Sequence, residues 1–224
     1  MATKTDVLGD TPEQTPRGRG RPRARTDDET RAVILEAARH EFASNGYAAT
    51  SMESVARSSG VSTKTLYRLI PNKAALFEAM ITDRIDRFTS VVRVRASQDT
   101  ELQTALRDAL IVCGELILDG EVIALQRMIL GESEKFPEIA ETFYQKAIRR
   151  TEGTLADWLK AQHARGRIEI DDADADAVAG MLLGMLVFQP QRAVWFGHAQ
   201  PPGREALERR AEAVARTFLS GCAR

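Results

Sequence analysis

Residues 50–73 read TSMESVARSSGVSTKTLYRLIPNK, and this stretch decides the fold of the 224-residue chain. It parses as two short helices joined by a tight turn. Such a unit holds its second helix on a rigid support and offers that helix's N-terminal residues to a DNA major groove. Thr50 and Glu53 have the spacing of a reciprocal capping box for the first helix. Ala56 is small enough for two helices to cross closely, and Gly60 permits the left-handed backbone of a sharp turn. Val55, Val61, Leu66 and Leu69 supply apolar contacts on the inner faces, and Ser62 stands where the second helix needs a cap. Thr63, Lys64, Thr65, Tyr67 and Arg68 remain as hydrogen-bonding groups on a short, polar element. A helical hairpin buried in a core would not carry so polar a second helix.

Upstream, Thr26 and Glu29 repeat the capping-box spacing and open a helix predicted to reach Asn45 and stop at Gly46. Ile34, Leu35, Ala38 and Phe42 give it one apolar face. Downstream, Pro71-Asn72 punctuates the chain and Asn72 caps a long helix from Lys73 to about Ala96, a natural lever between two halves. Further helices are predicted from Thr100 to Asp119, ended by Gly120, and from Glu121 to Glu134. Pro137 opens a long one that closes at Gly166, and another runs from Asp172 to Gln189 before Pro190 interrupts it. The last spans Arg204 to Ser220. The expected fold is all-α with about nine helices: an N-terminal three-helix helix-turn-helix domain, then a helical ligand-binding and dimerisation domain. The expected boundaries are a disordered basic arm at 1–25, a DNA-binding domain at 26–73 and a regulatory domain at 74–224.

Charge separates the two ends. Residues 17–73 hold 11 Lys or Arg against 6 Asp or Glu, net +5, whereas residues 74–224 hold 19 against 23, net −4. Only the front is suited to a polyanion. Within it, RGRGRPRAR (17–25) sets Arg at every second position on a narrow Gly- and Pro-containing backbone. Arg19, Arg21 and Arg23 suit an A·T-rich minor groove, and Arg19-Gly20-Arg21-Pro22 resembles the AT-hook motif. Two cysteines, no apolar N-terminal stretch and no uninterrupted apolar run of about 18 residues point to a soluble cytoplasmic protein.

The block from Thr30 to Phe88 resembles the DNA-binding domain of the TetR (tetracycline repressor) family. The matching residues are Ile34-Leu35-Glu36-Ala37-Ala38, Phe42, Gly46-Tyr47, Thr50-Ser51-Met52, Val55-Ala56, Gly60-Val61-Ser62, Leu66-Tyr67 and Lys73-Ala74-Ala75-Leu76. The stretch Glu132 to Phe143, centred on Phe136-Pro137, looks like the AefR-like or AcrR-like branch. One departure is that Arg68-Leu69-Ile70 follows Tyr67 where the family often has Tyr-x-x-Phe; Ile70 can fill the same apolar gap. The resemblance implies that Thr63, Lys64 and Thr65 face the major groove, with Lys64 donating to guanine and the Thr methyl groups touching thymine, and it counts Ser62 among the DNA-binding residues. It also implies that Tyr67, Lys73, Thr50 and Ser51 meet phosphates and fix register.

A dimer on double-stranded DNA is expected, with recognition helices one turn apart. Gly180, Met181, Gly184 and Met185, with Leu207, Val214 and Phe218 of the last helix, are the candidate dimer surface. Cys113, Leu116, Met128, Phe143, Trp158 and Phe188 are candidates to line a cavity for a hydrophobic small-molecule effector. Enzymatic chemistry finds no support: His40, His163 and His198 share no metal-ligand spacing, and the Asp171–Asp176 cluster lacks the glycine and distal glutamate of a calcium loop. No cofactor is expected. The residues point to a ligand-responsive DNA-binding regulator, with an architectural protein of A·T-rich DNA as the alternative.

Overall fold

The structure is a computed structural model that describes residues 25–96, 101–170 and 174–222. Helix α1 spans Asp27–Ala49, and both halves of its expected capping box form: the Glu29 amide donates to Thr26 Oγ1 at 3.1 Å and the Thr26 amide to Glu29 Oε2 at 2.8 Å. The helix breaks at Gly46, where φ is +83° and an added Cβ would lie 2.5 Å from Glu132 Oε1. Glycine is therefore required there by conformation, and a side chain would also have to push the Glu132 carboxylate aside.

Helices α2 (Met52–Ser59) and α3 (Thr63–Leu69) flank Gly60, whose φ of +68° makes the turn. The α2 cap differs from the sequence expectation by one residue. Ser51 Oγ accepts from the Ser54 amide at 3.0 Å and Ser54 returns the bond, so the box is Ser51–Ser54 rather than Thr50–Glu53. Thr50 is buried and donates its hydroxyl to Gly46 O at 2.7 Å and Glu41 O at 3.1 Å, where it closes the broken end of α1. Ser62 caps α3 as expected, accepting from the Thr65 amide at 3.0 Å.

Helix α4 (Lys73–Ala96) starts under an Asn72 side chain that accepts from the Ala75 amide at 2.8 Å. Its first half closes a core with α1 in which the Phe42, Tyr47 and Phe77 rings sit 5.5 to 5.7 Å apart. Ile70 is 1% exposed in the same core, so it fills the gap that the missing aromatic would leave. This core does not stop at residue 73: Leu76 to Ile85 of α4, with Leu125, Ile129 and Ile139 from further along the chain, belong to it.

The second core is built by α5 (Leu102–Ile117), α8 (Arg149–Ala164), α9 (Ala175–Trp195) and α10 (Arg204–Cys222), with the end of α4. Between the cores lie α6 (Gly120–Glu132) and α7 (Pro137–Phe143). Helix α7 continues through a π-helical turn, Tyr144–Ile148, into α8, so nine continuous helices stand among the described residues. Pro137 occupies the first turn of α7, as expected. Glu101 rather than Thr100 caps α5, accepting from the Gln103 and Thr104 amides at 2.9 Å each; Thr100 lies outside the described residues. Gly120 does not end α5 but begins α6, because Asp119 takes the capping position.

Helix α9 also departs from expectation, since it runs through Pro190 to Trp195. A proline at this position has no N–H for the Leu186 carbonyl. Arg210 of α10 supplies the missing donors: Nε to Leu186 O, Nη2 to Met185 O at 2.7 Å and Nη1 to Gln189 Oε1 at 3.0 Å. Substituting Arg210→Met should cost about 2 kcal/mol, the usual loss when a charged donor leaves a carbonyl orphaned. Urea unfolding at fixed protein concentration measures it. Pro190→Ala in the same background should recover part of the loss by restoring the amide, and an equal Arg210 effect with and without Pro190 would contradict the assignment.

Candidate nucleic-acid interface and effector cavity

The second helix of the helix-turn-helix keeps one apolar anchor, Leu66, fully buried against α1 and α2. Thr63, Lys64, Tyr67 and Arg68 are exposed and Thr65 is half-buried beneath the Ser62 cap. Among the described residues no hydrogen bond or ion pair engages Lys64, so its ammonium is open to a ligand. Arg68 is not open in this way. Its guanidinium makes two bonds to the Asp27 carboxylate, at 2.7 and 2.8 Å, and so fastens the last turn of α3 to the first turn of α1. That bonding holds the Asp27 carboxyl below its ordinary range. The Tyr67 hydroxyl donates to Glu53 Oε1 at 3.3 Å; partial burial, then Glu53, raise the phenol pKa. Ser51 is exposed at the start of α2. Arg19, Arg21 and Arg23 lie outside the described residues.

Lys73 is placed differently from the sequence expectation. Its ammonium turns inward and donates to Tyr47 O at 2.8 Å and Thr50 O at 3.0 Å, while sitting 4.5 Å from the Tyr47 ring centre. It closes the carbonyl end of α1, where a cation is favoured, instead of standing free for a phosphate. Thr50 is corrected in the same way, since its hydroxyl is spent on α1 carbonyls.

The same junction is held from the opposite side by a residue that no local pattern singles out. Glu132, the last residue of α6, accepts from the Tyr47 amide at 3.0 Å and the Ala48 amide at 2.8 Å. Phe136 adds an edge-on ring contact to Tyr47 at 5.1 Å. At the other end of α6, Glu121 pairs with Arg39 and lies 3.3 Å from His40, both on α1. Helix α6 is thus tied along α1 at both ends. These partners are 80 or more residues apart in the chain.

The inner face of α6 forms part of a cavity of about 530 Å³. Ile81 and Ile85 of α4, Val122, Leu125 and Ile129 of α6, and Leu183 and Val187 of α9 line it. Of the six residues proposed from sequence, Leu116, Phe143 and Phe188 are on its wall. Cys113 and Trp158 instead fill the core between α5, α8, α9 and α10, and burial pushes the Cys113 thiol up to about 12. Met128 packs against the N-terminal core. The error is one of helix phase, since each lies on a cavity-forming or neighbouring helix but faces away.

Helix α9 carries a second apolar surface. Met181 is 67% exposed, Met185 40% and Phe188 53%, with Gly184 exposed between them. Leu182 and Leu186 face the core. Leu207 and Val214, expected on the dimer surface, are buried in the protomer: Leu207 packs on Gly114 and Val214 joins the same core. Phe218 is half-buried against that core. Gly180 is half-buried on the cavity wall.

The model of the AefR-like transcriptional repressor C-terminal domain matches residues 100–221, and that of bacterial regulatory proteins of the tetR family matches residues 34–80. The chain belongs to the TetR family. This TetR-family chain is 28% identical over 120 residues to the HTH-type transcriptional regulator TtgR of Pseudomonas putida, covering 53% of this chain and 57% of that protein. The match therefore spans little more than half of that relative's length. A solved structure of a putative TetR-family transcriptional regulator from Mesorhizobium loti superimposes with a TM-score of 0.76 at 25% identity, covering 90% of this chain and 100% of that one. The flavonoid-responsive regulator FrrA follows with a TM-score of 0.65 at 28% identity, covering 88% and 98%. The family places this protein among DNA-binding transcriptional regulators, a class distinct from enzymes. Among the described residues no group of His, Cys, Asp or Glu is arranged to hold a metal ion.

Proposed function

We propose that this TetR-family regulator is a homodimeric cytoplasmic repressor that binds a short palindromic operator and leaves it when a hydrophobic small molecule enters the cavity. The observation that carries this reading is the double duty of α6, which walls the cavity and, through Glu132, grips the Tyr47 and Ala48 amides in the last turn of α1, next to α2. A molecule that binds better when α6 is displaced therefore favours a displaced helix-turn-helix. Without such differential affinity nothing shifts. Helix α4 adds a second route, since Ile81 and Ile85 line the cavity while its first residue, Lys73, holds the same junction. FrrA is responsive to a small molecule by name, which supports the ligand-responsive reading.

On DNA, Thr63 and Lys64 reach base edges and Ser51, Ser62 and Thr65 border the groove. Tyr67 must exchange its Glu53 partner for a phosphate oxygen. Two copies pair through the exposed Met181, Met185 and Phe188 of α9 around the open Gly184, the apolar side that the protomer leaves uncovered.

The test is Glu132→Ala. A compound is first found by its ability to release labelled operator from the unaltered protein. The variant is expected to bind operator within about fivefold of the original, since one pair of charge-assisted bonds contributes on the order of 1 kcal/mol to docking geometry. It should then stay bound at compound concentrations that free the original. Equal release of both proteins would contradict coupling through α6.

A further inference from the structure

The cavity is not uniformly apolar. Trp195 Nε1, which can only donate, lies 3.3 Å from Gln126 Oε1, and Gln191 Nε2 donates to the same oxygen at 2.9 Å. The indole therefore fixes which way the Gln126 amide points, and that in turn fixes Gln191. What remains is the Gln126 NH2 group as donor and the Gln191 carbonyl as acceptor, and among the described residues no hydrogen bond engages either. Gln126 is only 9% exposed, and all three side chains line the cavity. A second polar point is Arg84 of α4. Its Nη2 lies 3.1 Å from Asp119 Oδ1, whereas its Nε is buried with no partner. Arg84 lines the cavity, and a small shift of its side chain that uncovers this orphaned donor lets an occupant supply the missing bond. Asp119, the N-cap of α6, precedes Gln126 by seven residues, a rise of roughly 10 Å along the helix axis at 1.5 Å per residue, so the two polar points belong to different turns of α6.

From this arrangement we infer that the effector is a non-anionic, largely apolar, elongated molecule with a hydrogen-bonding oxygen at each end. A hydroxyl at one end donates to Gln191 and accepts from Gln126; an oxygen at the other accepts from Arg84 Nε. Charge is disfavoured at both ends. Asp119 already balances Arg84, and the glutamine pair offers dipoles without a counter-ion. An isolated ion there would lose its hydration without compensation. A volume of about 530 Å³ falls within the range of pockets that enclose a two- or three-ring ligand. The inference rests on the proposed effector role of the cavity and adds the ligand's chemistry to it.

Calorimetry on the full chain tests it with four probes: trans-stilbene bearing a hydroxyl on each ring, on one ring and on neither, and myristate as an anionic chain. The doubly hydroxylated probe should bind about tenfold tighter than the singly hydroxylated one, the worth of one well-made hydrogen bond. Myristate should be weakest. In Gln191→Leu, and independently in Gln126→Leu, the preference for the first hydroxyl should fall towards unity while the unhydroxylated probe keeps or gains affinity. The ratio between probes is read within each folded variant, so a loss of stability does not imitate the result. Equal binding of all stilbenes, tighter binding of myristate, or a preference unmoved by both variants would overturn the assigned chemistry and leave the cavity as an effector site. Binding of no probe at all would overturn both.

Discussion

Replacing Met181 and Met185 together by Glu is expected to leave the protein folded but monomeric, with operator affinity lowered by roughly a thousandfold. Both side chains stand in solvent in the protomer, at 67% and 40% exposure, so the substitutions remove no core contact. Their cost appears only when two copies meet. Four carboxylates brought together across a two-fold axis lose hydration without gaining partners. Each helix-turn-helix then binds its half-site alone and forfeits the effective concentration that the second one supplied. Sedimentation and fluorescence anisotropy on labelled operator measure the two effects. A variant that remains dimeric, or a monomer that keeps the full affinity, would contradict the assignment of α9. Helix α9 reaches a mean hydropathy of 1.2 over 18 residues and is long and apolar enough, by composition, to cross a membrane. Its two apolar faces explain that figure, because one builds the core through Leu182 and Leu186 and the other leaves Met181, Met185 and Phe188 in solvent.

Deleting residues 1–24 should produce the other large change. Of the net +5 in residues 17–73, four charges belong to Arg17, Arg19, Arg21 and Arg23, so the folded DNA-binding unit retains only about +1. Its own cations are mostly occupied: Arg39 pairs with Glu36 and Glu121, Arg68 with Asp27, and Lys73 with backbone carbonyls. On the proposed reading, the arm carries much of the attraction to phosphate. Each phosphate contact adds about 0.9 to the slope of log affinity against log salt, so the four arginines of each of two arms account for up to roughly 7. The deletion should flatten the slope by an amount of that order while leaving base preference with α3. An unchanged slope across a potassium chloride series would show that the arm contributes nothing.

Local chemistry made the helix-turn-helix legible. The Thr26–Glu29 box, the left-handed Gly46 and Gly60 and the Ser62 and Asn72 caps are written within a few residues of where they act, and each forms. Errors arose where two local solutions competed. Thr50 and Ser51 are adjacent and both can cap, and the choice was made by carbonyls freed at Gly46, four residues away. Pro190 reads as a stop until Arg210, twenty residues on, is seen to serve the carbonyl that the proline abandons. Lys73 carries the charge of a phosphate ligand, but the open end of α1 claims it first. In the C-terminal domain several helices are apolar on more than one face, so periodicity identified them without fixing their rotation. Leu116 met the cavity while Cys113, one turn earlier on the same helix, met the core. Glu132 is invisible to any local rule, because what makes it matter is a pair of amides more than 80 residues upstream.

Whether two recognition helices read one palindrome together is decided by selection from a randomised duplex library with the intact purified chain, followed by sedimentation of the bound complex. Enrichment of an inverted repeat is expected, its half-sites centred about one helical turn apart and two chains on each duplex. Failure to enrich any sequence, or a single unpaired half-site held by one chain, would contradict it.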